Sequence, residues 1–294
     1  MMKFVTPIVL SLLVVGCSSI PTPKKRIDNA NTVAISGDLK PVMLKVDGFD
    51  IKSYQKLSTE VTDKEPSDKA SSAANTPHIV RLYIEGDGFT NLNRAQPSTN
   101  PTPVRPVALE LASVDDASDV IYLARLCQYM KNPQYKCGKK YWTTHRYSGN
   151  VYNLYMRILN QLKVSYNIDQ FELVGFSGGG TLATLLSHTR TDIKSLRTVA
   201  GNLDTLMFTR IHNMEPLKHS LNPLTYAERG NRIPQMHFIG ETDHTIPPNV
   251  AHSYLLKQTG SNNRAKARMH IVTGTGHDTN WQDKWPELLK YPLQ

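Results

Sequence analysis

Phe171-Glu172-Leu173-Val174-Gly175-Phe176-Ser177-Gly178-Gly179-Gly180-Thr181 is the stretch around which the rest of the chain is organised. Phe171 to Val174 reads as a short buried strand and Thr181 to Ser187 as a helix. Between them Gly175, Ser177 and Gly179 fit the pattern G-x-S-x-G. A strand that passes directly into a helix makes a tight, strained turn and leaves the central serine hydroxyl clear of the sheet. A Cβ two positions before or after that serine would crowd the turn, which explains glycine at both places. Gly180 and Ala183 let the helix lie close to neighbouring strands. A phosphate loop is excluded, because Gly178-Gly179-Gly180 is not followed by lysine. A purely structural strand-to-helix turn uses the same glycines, so a reactive serine must be supported by partners elsewhere.

Working outward, strands and helices alternate. His78 to Ile84 is a strand, Pro106 to Ala112 a helix, and Asp119 to Ala124 a strand. Asn150 to Leu162 is an amphipathic helix, with Val151, Leu154, Tyr155, Ile158, Leu159 and Leu162 at helical spacing. Downstream come strands at Leu196–Ala200, Met236–Ile239 and Met269–Val272, with helices at Val250–Lys257 and Trp281–Lys290. At the front, Val42–Val46, Asp47-Gly48 and Phe49–Tyr54 read as a hairpin. Residues 58–76 read as a loop. This order predicts an α/β fold: a mostly parallel sheet of about eight strands with helices on both faces. Asn202 to Ile233 is the longest interruption and allows a short cap at most.

A serine hydroxyl is a weak nucleophile near neutral pH. It needs an imidazole to take its proton and an acid to orient the imidazole. His277 lies in Gly274-Thr275-Gly276-His277-Asp278, directly after the last strand. Asp243 lies in Gly240-Glu241-Thr242-Asp243, after the strand before that one. Glu241, Asp278 and Asp204 are rivals for the acid. Asp278 adjoins His277 in the chain, and chain neighbours rarely orient one another. Asp204 follows an earlier strand. A tetrahedral intermediate also needs hydrogen-bond donors for its oxyanion. The N–H of Gly178 is one; the second is expected from the loop Glu85-Gly86-Asp87-Gly88-Phe89, through the N–H of Asp87 or Gly88. The Asp87 carboxylate would oppose a developing oxyanion, so its side chain is expected to turn away.

These pieces, in the order Gly86–Gly88, Gly175–Gly179, Gly240–Asp243 and His277, resemble the α/β-hydrolase family over about residues 78–294. The resemblance implies an eight-stranded, mostly parallel sheet and a Ser-His-Asp triad of Ser177, His277 and Asp243, in the family's order of serine, acid, histidine. The chain departs from many esterases by carrying Glu85-Gly86-Asp87-Gly88 where they have His-Gly or His-Gly-Gly-Gly. The activity implied is a cofactor-free serine hydrolase acting on a small acyl ester, with serine peptidase or acyltransferase as alternatives. A non-catalytic envelope protein with a hydrolase-like scaffold is the rival from another class.

The N-terminus supplies an address. Met1-Met2-Lys3 is a short basic segment, and Phe4 to Val15 is largely apolar but too short to cross a bilayer. Val14-Val15-Gly16-Cys17 resembles the lipobox of bacterial lipoproteins, in which the cysteine is acylated, for instance with palmitate, after cleavage before it. Residues 1–16 are therefore read as a signal peptide, 17–30 as a lipid-anchored tether, and 31–294 as one domain. In Gram-negative lipoproteins a neutral residue such as Ser18 permits outer-membrane sorting. The expected location is thus the cell envelope, at the outer membrane facing the periplasm. With Cys17 acylated, Cys127 and Cys137 remain, and an oxidising compartment favours a disulfide between them. The formal charge is +9, and loss of Lys3 with the signal peptide leaves +8. The basic residues are scattered, and nucleic-acid motifs and metal-ligand clusters are not evident. The surplus reads as a solvated basic surface able to meet anionic lipid headgroups. Oligomeric state is not legible.

Overall fold

The computed structural model describes residues 20–58, 76–93, 95–130, 136–259 and 267–293. Eight strands form one sheet: β1 (Lys40–Val46), β2 (Phe49–Lys56), β3 (Ile79–Ile84), β4 (Val120–Leu123), β5 (Gln170–Phe176), β6 (Ile193–Val199), β7 (Gln235–Gly240) and β8 (Ala267–Val272). Their spatial order is β1-β2-β4-β3-β5-β6-β7-β8. β1 pairs antiparallel with β2, and β2 with β4; every later pairing is parallel. The hairpin is as expected. Val46 faces Phe49, and the two residues between them, Asp47 and Gly48, both take positive φ. That is the conformation a two-residue turn between twisted strands requires.

Parallel strands need crossovers, and helices supply them. The crossovers carry α2 (Val107–Ser113), α3 (Gly149–Ser165), α4 (Gly178–Ser187), α5 (Thr205–Ile211) and α6 (Pro248–Thr259), while α1 (Pro23–Ser36) precedes β1 and α7 (Trp281–Leu289) follows β8. Side-chain alternation along the strands divides the interior in two. Leu82, Ile84, Ile121, Leu123 and Leu173 face a core completed by α3 and α4, through Leu154, Ile158, Leu182 and Leu186. Tyr83, Val120, Tyr122 and Val174 face a second core closed by Ala30 and Ala34 of α1, by α2, and by Trp281 and Trp285 of α7. The sheet is thus covered on both sides, as the near-continuous apolar strands require.

The tether reading is corrected over residues 23–30. Thr22 caps α1 by accepting from the Lys25 N–H, Pro23 opens the helix, and Arg26, Ala30 and Ala34 are buried at helical spacing. The Arg26 guanidinium donates to the Asn100 and Thr102 carbonyls and lies over the Phe89 ring. The fully buried residues of α1 are two alanines and an arginine, and the larger apolar side chains on that face, Ile27 and Val33, are only half-buried, which leaves a weak signal in the sequence. The signal peptide, Cys17 and most of the 58–76 loop lie outside the described residues. Residues 202–233 hold α5 and a 3-10 stretch at Pro223–Arg232; α5 reaches the edge of the cleft over Ser177 through Phe208, and the 3-10 stretch packs on α6 and α4. Among the described residues, no helix is long and apolar enough to cross a membrane.

Cys127 and Cys137 form a disulfide, with Cα atoms 5.7 Å apart. Closing a loop of ten positions restrains the unfolded chain. Replacing both cysteines with alanine is expected to lower unfolding stability by about 2–3 kcal/mol, read from urea denaturation under oxidising conditions. Equal stability of the two proteins would show that the link contributes nothing.

Candidate active site

The turn after β5 places Ser177 at φ 49 and ψ −117, a region that side-chain-bearing residues rarely occupy. Neighbouring backbone enforces it. The Ser177 N–H donates to the Val199 carbonyl at 2.9 Å, and the Ser177 carbonyl accepts from Gly180 and Asn202. A Cβ on Gly175 would stand 2.5 Å from the Gly179 carbonyl oxygen, and one on Gly179 would run into the Ile84 and Glu85 carbonyls. Both glycines are required by close approach, so the hydroxyl is held at the carboxyl end of the sheet.

His277 and Asp243 reach the serine from the two loops expected. Ser177 Oγ is 3.1 Å from His277 Nε2, and His277 Nδ1 is 2.9 Å from Asp243 Oδ2. With the proton on Nδ1, the ring donates to Asp243 and presents Nε2 as acceptor to the serine hydroxyl. Asp243 is fully buried, and its other oxygen accepts from the N–H groups of Thr245 and Ile246 at 2.8 Å each. The carboxylate is therefore immobilised by backbone before it meets the histidine. The Trp281 indole donates to the Gly276 and His277 carbonyls at 3.0 Å each and pins the histidine loop to α7.

The rival acids are engaged elsewhere. Glu241 accepts from the Gly274 N–H. Asp204 caps α5 through the N–H groups of Leu206 and Met207 and also accepts from Ser253. Asp278 lies exposed on the cleft wall.

The Asp87 side chain enters a charged cluster beside Gly178. Its two oxygens meet Arg125 Nη1 and Arg146 Nη1 at 2.8 Å each, and the Tyr147 hydroxyl donates to it at 2.6 Å. Burial opposes ionisation of this carboxyl, but Arg146 and Arg125 outweigh burial and hold it below the usual carboxylate range. The carboxylate also abuts Gly178, where a Cβ would collide with it and with the Tyr147 hydroxyl. Gly88 takes φ +71 and turns the loop away, so that the Phe89 N–H donates to the Pro101 carbonyl at 3.1 Å. Gly86 lies against Phe176 and Ser177. Gly178 opens α4, where the first-turn N–H groups have no partner inside the helix.

In the sequence, Arg146 and Tyr147 stand in a segment after Cys137, Tyr141–Tyr147, that reads as a packed loop or a pocket wall, but their pairing with Asp87, and Arg125 altogether, are not found there. The misplaced charge of Asp87 was the available signal, since a buried carboxylate needs cations. Elsewhere in that segment, Trp142 is buried and Tyr141 packs edge-on to Phe49. Among the described residues, no group of three histidine, cysteine, aspartate or glutamate side chains is placed to hold a metal ion.

A cleft of about 350 Å³ opens over Ser177 and His277. Phe89, Val104, Phe176, Phe208 and Ile246 form apolar walls, and Arg105 and Arg146 add cationic groups.

No family model matches the sequence, and no curated protein matches it by sequence. Solved structures do resemble it. A Mycobacterium tuberculosis puromycin-hydrolyzing peptidase superposes with TM-score 0.58 at 14% identity, over 87% of this chain and 38% of the peptidase. A bacterial membrane phospholipase A, described as a virulence factor, superposes with TM-score 0.54 at 11% identity, over 91% of this chain and 90% of its own. Est1E from Butyrivibrio proteoclasticus gives TM-score 0.54 at 11% identity, over 85% and 96%. The chain thus spans well under half the length of the peptidase and nearly all of the other two. Together with the strand order, these similarities establish the α/β-hydrolase fold.

Glu85 also lines the cleft and is buried, accepting from Gly86 N–H at 2.8 Å and from the Tyr122 hydroxyl at 3.0 Å. Burial raises its pKa from the ordinary 4.5 to about 7, against the pull of those hydrogen bonds. Between those values the folded chain keeps a proton that the unfolded chain has released. The carboxyl's contribution to stability is therefore present below 4.5 and lost as pH rises through about 7. Measured against Glu85→Gln by urea denaturation, wild-type stability should fall by on the order of 2–3 kcal/mol between about pH 5 and about pH 8. A difference independent of pH would contradict this assignment.

Proposed function

We propose that the chain is a serine hydrolase that cleaves carboxylic esters through an acyl-enzyme. The observation that carries this reading is the continuous hydrogen-bonded line from Ser177 Oγ through the His277 ring to the buried Asp243 carboxylate. Ser177 Oγ attacks the ester carbonyl carbon while its proton passes to His277 Nε2. Asp243 stabilises the imidazolium without taking the proton. The N–H groups of Gly178 and Asp87 receive the oxyanion; Gly86, which precedes Asp87, already abuts Ser177. Collapse of the tetrahedral intermediate breaks the bond to the alcohol oxygen, which leaves with the proton from His277. Water then adds to the acyl-enzyme by the same route, releasing the acid and restoring Ser177.

The cluster behind the oxyanion loop supports this chemistry. Two guanidinium groups face one carboxylate, so the charge behind the loop is net positive and favours negative charge on the substrate oxygen. The apolar walls beside Ser177 favour an ester over a peptide. A peptide backbone needs a hydrogen-bonding partner at each residue, whereas an acyl group needs apolar contact.

A fluorophosphonate probe should label the wild-type protein and leave Ser177→Ala unlabelled. Ester turnover in that variant should fall at least about a thousandfold. Absence of labelling in folded wild-type protein would overturn the enzyme reading.

We further propose that the mature protein is anchored at the cell envelope by lipid on Cys17, from the basic, apolar and Val15-Gly16-Cys17 pattern of the N-terminus. The wild type should then fractionate with membranes and Cys17→Ala with the soluble fraction. Equal partition of the two would refute the anchor.

A further inference from the structure

Charge is left over behind the loop after β3. Arg125 and Arg146 are 5% and 6% exposed and share a single carboxylate, Asp87, at 2.8 Å each. The other groups they meet are neutral. Arg125 Nη2 donates to the Arg146 carbonyl, and its guanidinium lies 5.2 Å from the centre of the Tyr147 ring. Arg146 Nε donates to the Thr143 carbonyl at 2.7 Å. Two cations thus face one anion among groups withdrawn from water, where an unbalanced charge is costly. A second anion would complete the cluster.

Arg146 is the member of the pair that such an anion can reach. It lines the cleft over Ser177, whereas Arg125 does not. Its Nε and Nη1 are engaged by Thr143 and Asp87, and Nη2 has no acceptor among the described residues. The other cation of the cleft is already matched. Arg105 meets both oxygens of Glu110 through Nε, and the Asp278 carboxylate acts on that same glutamate. The cleft is therefore electropositive at Arg146 and balanced or negative at Arg105. Its volume of about 350 Å³ keeps a group at Arg146 within a few bonds of a carbonyl at Ser177.

We propose that Arg146 binds an anionic group of the substrate, a carboxylate or phosphate carried a few bonds from the ester carbonyl that Ser177 attacks. This rests on the hydrolase reading of the site and adds the charge of the substrate to it. Nη2 donates to the anion while Nη1 keeps its bond to Asp87, so that two cations then face two anions. A charge-assisted hydrogen bond shielded from water discriminates by about ten- to a hundredfold. The contact is the same before and during acyl transfer. Its loss therefore raises KM for anionic esters and leaves kcat in place. A residue acting only on the oxyanion would instead lower kcat for every ester.

Two experiments test this independently of each other. In the first, kcat/KM at neutral pH is compared for monoethyl succinate, ethyl 3-phosphonopropanoate and the neutral ethyl butyrate, each divided by the ester's own rate of alkaline hydrolysis. Wild type should favour at least one anionic ester by about tenfold or more, and which one tells carboxylate from phosphate. Arg146→Lys keeps a cation for Asp87 but loses Nη2. The preference should fall about tenfold there, through KM, and by less than about threefold in Arg105→Gln. No preference in wild type that the fluorophosphonate probe labels would overturn the anion site and leave the hydrolase reading standing. An equal loss on all three esters in Arg146→Lys, or as large a loss of preference in Arg105→Gln, would also overturn it. The second experiment needs no catalysis: thermal melting of Ser177→Ala with succinate or inorganic phosphate, against chloride at equal ionic strength. At saturation one of them should raise Tm by about 2–4 °C, and the rise should vanish when Arg146→Lys is added. No rise, or a rise indifferent to Arg146, would overturn the proposal even if the labelling result were also negative. The same melts check that Arg146→Lys folds; if it does not, the preference of wild type decides.

Discussion

Ser177 sits with a left-handed backbone between a strand and a helix, a conformation that costs on the order of 1–3 kcal/mol for a residue with a side chain. It persists because the surroundings leave no alternative. Gly175 and Gly179 let the turn close on itself and on β3, and hydrogen bonds from both sides tie the serine to β6 and its following loop. The sheet order makes this possible. β5 lies at the centre with β3 on one side and β6 on the other, so the loops after all three strands converge on one point. The loops after β7 and β8 bring Asp243 and His277 to the same end. Ligand sites at the carboxyl ends of parallel strands follow from this geometry.

A second constraint lies behind the loop after β3. Asp87, Arg125 and Arg146 are brought together from three parts of the chain and largely withdrawn from water. Breaking one partner from such a group leaves an uncompensated charge, a cost of about 3–5 kcal/mol. The cluster therefore holds the loop in one place, and the Tyr147 hydroxyl and Gly178 bring α4 into the same contact. The disulfide lies between Arg125 and Arg146 in the chain and restrains the segment that joins them. Position and charge are thus supplied by the same residues.

What was legible in the sequence follows from the range of each signal. The hairpin at Asp47-Gly48 and the turn at Gly175–Gly179 were readable because a backbone requirement appears directly as residue type. Strands and long helices were readable through the period of their apolar residues, as in Val151 to Leu162 of α3. Asp243 and His277 were found by their positions after successive strands, which chain order preserves. The first helix is not evident because its apolar stripe, Ile27, Ala30, Val33 and Ala34, is half alanine and is broken by the buried Arg26. The partners of Asp87 were missed for a different reason. Arg125 and Arg146 are 38 and 59 residues away, and nothing local distinguishes them from the other basic residues. That the Asp87 carboxylate would oppose an oxyanion is visible in the sequence, but which cations meet it is a property of the folded sheet.

The central claim is covalent chemistry at Ser177. Intact-mass spectrometry of the protein quenched in acid during turnover of a p-nitrophenyl ester tests it most directly. The account predicts a transient species heavier by one acyl group, mapped to the peptide containing Ser177, which decays as substrate is exhausted. Turnover without any adduct, together with undiminished hydrolysis by Ser177→Ala, would contradict it.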